Sequence, residues 1–110
     1  MKRDLNLYLN DILESIDLIQ ARVSGMSEVE FRNDEEKYES VVYRFAIIGE
    51  AVNKIPKEYL KRFPNINWSA IISMRNILIH EYHEADLDIV WDTIKTDLTD
   101  LQIAISSLTI

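Results

Sequence analysis

Cysteine is absent from this 110-residue chain, and glycine and proline occur only twice each. Without thiols there is no disulfide framework and no thiolate metal site, a state that suits a reducing compartment, so the cytosol is the expected location. So few glycines and prolines cannot supply the turns of a hairpin-rich fold. No apolar run approaches the length of a bilayer span, and the start, Met1-Lys2-Arg3-Asp4-Leu5-Asn6, lacks the apolar core of a signal peptide. No membrane association is expected. Cations are also scarce: 12 Lys and Arg against 19 Asp and Glu give a formal charge of −7. That balance is poor for capturing a phosphate backbone and suits a protein partner. No glycine-rich phosphate loop is present.

What is present is apolar residues at helical spacing. With 47% hydrophobic residues and no linker, repeat or low-complexity segment, residues 1–110 form a single domain. Leu5, Leu9, Ile12, Ile16, Ile19 and Val23 recur every three or four residues, the stripe of a helix packed on one side. Gly25 ends that helix. Residues 27 to 33 are mixed and read as a short turn, after which Asn33 or Asp34 caps a second long helix reaching Ile55. Its broad apolar stripe runs from Tyr38 through Val41, Val42, Phe45, Ile48, Ala51 and Val52 to Ile55. Gly49, costly inside a helix, marks a point where another helix crosses closely. Pro56 fits the first turn of a short helix, and Asn67 caps another that starts near Trp68. That helix, with Ile71, Ile72, Met74, Leu78 and Ile79 over a wide arc, is expected to be buried on most sides. Asp86 is expected to cap a last helix carrying Leu87, Val90, Trp91, Ile94, Leu98, Leu101, Ile105 and Leu108. The expected fold is all-α, an antiparallel bundle of four main helices plus one short helix.

The charge average conceals an asymmetry. Between residues 51 and 80 the cations Lys54, Lys57, Lys61, Arg62 and Arg75 face the single anion Glu58, a local charge of +4. This basic stretch, ordinary as a solvated helix face, leads into Arg75-Asn76-Ile77-Leu78-Ile79-His80-Glu81-Tyr82. Arginine suits a phosphate oxygen and imidazole suits proton transfer near neutral pH, a combination fitted to work on a phosphodiester. On a straight helix Asn76 and His80 share a face, as do Arg75 and Tyr82, whereas Arg75 and His80 diverge by about 140°. Either the helix loosens near His80, or a second copy of the chain completes the site across a two-fold axis; the dimer is favoured. On residue type alone, such a histidine is more often a hydrogen-bonded structural group, and Arg75 a buried ion-pair partner for an acid such as Glu50. Glu50 is also a plausible carboxylate for orienting the site. The segment His80-Glu81-Tyr82-His83-Glu84 has the wrong register for a zinc-protease helix, whose second histidine would fall at position 84. No metal and no cofactor are expected.

The ordered set Ile47-Ile48-Gly49-Glu50-Ala51, Pro64-Asn65-Ile66-Asn67-Trp68, Met74-Arg75-Asn76, His80-Glu81-Tyr82 and Val90-Trp91 resembles the HEPN superfamily (higher eukaryotes and prokaryotes nucleotide-binding domains). Within that superfamily it looks most like the HepT-like ribonuclease toxins, over nearly the whole chain. The resemblance implies a HEPN-like bundle and a metal-independent endoribonuclease acting on RNA, the toxin of a pair whose antitoxin is a small nucleotidyltransferase. It implies Arg75 and His80 as catalytic residues, with Asn76 assisting. It further implies Tyr82 as the tyrosine to which the antitoxin adds AMP. A second imidazole, His83, follows Tyr82 where many relatives would carry an aromatic or apolar residue. The alternative is a non-catalytic helical module that docks on a nucleotidyltransferase or holds a nucleotide.

Overall fold

The computed structural model describes residues 2–75 and 84–109, with side chains for 4–75 and 87–109. Every regular element among them is helical: α1 (Lys2–Val23), α2 (Glu28–Asn33), α3 (Glu35–Lys54), α4 (Lys57–Leu60), α5 (Trp68–Ser73), α6 (Glu84–Asp92), a π-helical turn (Thr93–Asp97) and α7 (Leu98–Leu108). The all-α bundle expected from the sequence is the one observed. Its spine is the α1–α3 pair, with α5 laid against α3 and α7 against α1.

The apolar periodicity explains this packing. The whole α1 stripe from Leu5 to Val23 is buried, as are Val41, Val42, Phe45, Ile48, Ala51 and Val52 on α3, and Leu87 through Leu108 on the last helical stretch. Each helix therefore hides one face and wets the other, so hydrophobic burial selects the pairing. Gly25, at φ 77° in the left-handed region, reverses the chain after α1. Asp34 accepts from the Lys37 amide at 3.1 Å and so starts α3.

Three local expectations are corrected. Residues 28–33 form a helix, not merely a turn. Ser27 accepts from the Glu30 amide at 3.2 Å while the Glu30 carboxylate accepts from the Ser27 amide at 2.8 Å, a reciprocal capping box. This helix buries Phe31 completely, with its ring 5.2 Å from that of Trp91, and Arg32 pairs with Glu28 and with Asp88 on α6. Asp86 lies inside α6 and does not cap it, because the backbone is already helical at Glu84. The helix beginning at Trp68 is less enclosed than its apolar arc implied. Ile71 and Met74 are buried, but Ser69, Ala70 and Ser73 are exposed, and Leu78 and Ile79 lie outside the described residues.

A further departure from α geometry occurs between α6 and α7, where the Leu98 amide donates to the Thr93 carbonyl, five residues back. The turn is widened accordingly.

Candidate active site

Arg75 reaches its place through a sequence of local choices. The Asn67 side chain accepts from the Ala70 amide at 3.1 Å and starts α5. The Trp68 indole N–H is shared between the Leu60 carbonyl at 3.0 Å and the Phe63 carbonyl at 3.2 Å, which fastens the start of α5 to the turn after α4. Along α5 the backbone then crosses α3 at Gly49. A Cβ built there would stand 2.9 Å from the Ile71 carbonyl oxygen and 3.0 Å from that of Ile72. Only a glycine permits such an approach, as the sequence suggested.

The close crossing sets Glu50, the next residue on α3, opposite Arg75. The Arg75 guanidinium donates to the Glu50 carboxylate in an ion pair. Both side chains keep substantial exposure, 40% for Arg75 and 51% for Glu50. The pair is therefore not the buried one weighed from sequence, and the remaining N–H groups of Arg75 can meet an anion from solvent.

Arg75 and Glu50 line a groove of about 410 Å³ between α1 and α3, to which α3 also contributes Ala46, Ile47 and Ala51. Tyr8 and Asp11 line its α1 wall, and Lys54 lies one turn beyond Glu50. The Lys54 ammonium sits 5.6 Å from the centre of the Tyr8 ring. The sequence signal at Tyr8 and Asp11 was weak, since both fall on the polar edge of an ordinary amphipathic stripe. Their spacing of three, which puts them on one helix face, was the available clue. The other cations of the basic stretch, Lys57, Lys61 and Arg62, are exposed, with Arg62 over the Tyr59 ring at 5.1 Å. Asn76, His80, Tyr82 and His83 lie outside the described residues. Among the described residues no group of three or more His, Cys, Asp or Glu could hold a metal ion, and no helix is long and apolar enough to cross a membrane.

Residues 12–108 match the family model described as Ribonuclease HepT-like. The chain belongs to the HepT-like ribonuclease family. That family is one of enzymes acting on RNA, as the resemblance implied, and its match takes in α1 from Ile12 onward, the Gly49 crossing, Arg75 and the last helix.

Similarity to individual members is of the same extent. The chain is 35% identical over 102 residues to the protein named "Probable ribonuclease HepT" of Thermococcus cleftensis, covering 93% of each chain. It is 38% identical over 101 residues to a Methanocaldococcus jannaschii protein provisionally named an RNase, covering 92% of this chain and 84% of that one. A second protein of that organism, whose name joins gamma-glutamylcyclotransferase to a provisional RNase, is 36% identical over 102 residues. Here the match takes in 93% of this chain and 46% of the relative, so the chain spans about half the length of that protein. No solved structure matches the chain.

Proposed function

We propose that this HepT-like chain is a metal-independent endoribonuclease and the toxin of a toxin–antitoxin pair, in which Arg75 and His80 cut RNA and Asn76 assists. The observation that carries the reading is Arg75 itself. It is paired with Glu50 in the lining of a groove yet stays 40% exposed, in a chain whose family is that of HepT-like ribonucleases. The ribose 2′-hydroxyl attacks the adjacent phosphorus and loses its proton to an imidazole. The bond from phosphorus to the 5′-oxygen breaks, that oxygen takes up a proton, and a 2′,3′-cyclic phosphate remains. Arg75 stabilises the charge on the phosphorane oxygens, and His80 carries protons. Two copies of the chain facing each other would supply one imidazole as base and another as acid, which favours a homodimer working in the cytoplasm.

Tyr82 is proposed as the acceptor of AMP units from a nucleotidyltransferase antitoxin. Each unit adds bulk and a negative phosphodiester beside a site that must accept RNA phosphates, so modification switches cleavage off. The formal charge of −7 favours a second reading, a non-catalytic module that docks on such a partner.

The experiment is incubation of the purified protein with defined RNAs in EDTA. Cleavage is expected with a bell-shaped pH dependence. It should fall by roughly 10²-fold or more in folded His80→Ala and Arg75→Ala variants. Full cleavage by folded His80→Ala would remove His80 from the mechanism, and no cleavage of any RNA by the unmodified dimer would leave the docking reading.

A further inference from the structure

The groove beside Arg75 has a composition that a simple phosphate clamp does not need. Its volume of about 410 Å³ falls in the range of small-molecule sites, about 300–1,000 Å³. Two alanines, Ala46 and Ala51, leave room over an apolar floor where larger residues would fill the space between α1 and α3. A flat ring can lie there, and Tyr8 offers it an aromatic wall. Lys54, beside Tyr8, and Arg75, beside Glu50, are two cations in the lining that can meet the phosphate of a bound nucleotide.

Among the described residues that line the groove, the two carboxylates differ in what they are free to bind. Glu50 is committed to Arg75. Asp11, exposed on α1, makes no hydrogen bond or ion pair among the described residues. An ionised carboxylate only accepts, and its two oxygens receive two parallel N–H groups best. Guanine alone among the four RNA bases presents two adjacent donors, N1–H and the 2-amino group, on its Watson–Crick edge. Adenine and cytosine offer one amino group beside an acceptor nitrogen, and uracil offers one N–H between two carbonyls.

We propose that the α1–α3 groove is a guanine subsite for the nucleotide next to the cut phosphate, with Asp11 receiving N1–H and the 2-amino group and Tyr8 walling the base. This rests on the ribonuclease reading for its role in cleavage, but the recognition of guanine does not require catalysis. Asp11 and Tyr8 would thereby give the enzyme a base preference that Arg75 and His80 cannot supply, since those two act on the phosphodiester common to every nucleotide.

The test titrates 3′-GMP, 3′-AMP, 3′-CMP and 3′-UMP separately into the full-length protein, followed by two-dimensional NMR. The same protein is then given RNAs that contain a single guanine. 3′-GMP is expected to bind about tenfold or more tightly than the other three. Asp11→Asn should lose about tenfold of that affinity while changing 3′-AMP binding by less than about twofold. Tyr8→Leu should weaken all four. Cleavage is expected beside the guanine in the wild type and at dispersed positions in Asp11→Asn. Equal affinity for the four nucleotides, no detectable 3′-GMP binding, or a guanine preference intact in Asp11→Asn overturns the subsite. Guanine-selective binding without cleavage of any RNA supports the subsite and counts against the ribonuclease reading alone.

Discussion

A methyl group placed on Gly49 would stand 2.9 Å from the carbonyl oxygen of Ile71. The relation joins the middle of α3 to α5 with backbone against backbone, and the residues on either side of it, Glu50 and Arg75, form the ion pair at the candidate site. Packing distance and site geometry are thus one constraint.

Gly49→Ala should destabilise the protein although alanine favours helix. The contacting atoms are main-chain oxygens, which no rotamer change can move, so the cost of overpacking exceeds the helix-propensity gain. A net loss of about 1–2 kcal/mol is expected from urea unfolding. Stability at or above wild type would show that α5 can retreat freely from α3.

Glu50→Gln should separate stability from activity. Both partners of the Glu50–Arg75 pair are well exposed, so its loss is expected to cost less than about 1 kcal/mol. Cleavage should nevertheless fall, mainly in kcat, because an unanchored guanidinium is no longer oriented toward the transition state. Glu50→Asp, which keeps the charge, should recover part of the rate. If both variants cut as fast as wild type, Glu50 does not position Arg75.

Phe31→Ala should be among the costliest single substitutions. Phe31 is wholly buried and packs edge-on to Tyr38 and 5.2 Å from Trp91. Truncation is expected to cost about 3–5 kcal/mol, read as a fall in thermal midpoint. A loss below about 1 kcal/mol would mean that α2 contributes little to the core.

Ser15→Ala should do the opposite. Ser15 is completely buried on α1, and its hydroxyl has no hydrogen-bond partner among the described residues. An unpaired buried hydroxyl is costly, and alanine is the better helix former, so stability is expected to rise by roughly 1 kcal/mol. A decrease in the same unfolding experiment would reveal a partner for the hydroxyl.

Periodicity made the long helices readable. Every apolar residue assigned to the α1 stripe is buried, and the break of propensity at Gly49 correctly located a crossing. Helix α2 was obscured because only Phe31 of its six residues is buried, while its other large apolar residue, Val29, is 67% exposed. Its legible signal was the Ser27-x-x-Glu30 cap. The partnership of Arg75 with Glu50 was foreseeable by charge, but its exposure depends on how α5 seats against α3, which no local pattern encodes. Tyr8 and Asp11 were hidden for the same reason. A groove between two helices belongs to neither sequence segment alone. Asn76 and His80 stand out by residue type and spacing, whereas Tyr82 takes its meaning only from the family resemblance, and the roles of all three are proposals.

The π-helical turn at Thr93–Asp97 holds one residue more per turn than its α-helical surroundings. Before it, α6 packs toward α2, and after it, α7 packs toward α1. The turn thus changes the azimuth of the apolar stripe between two neighbours that one straight rod would not serve equally. For evolution of the family, this makes Thr93–Asp97 the place where a one-residue deletion trades directly against helix rotation. A member lacking that residue must swing either Trp91 or the stripe from Leu98 to Leu108 off its partner, or realign the neighbour it packs on.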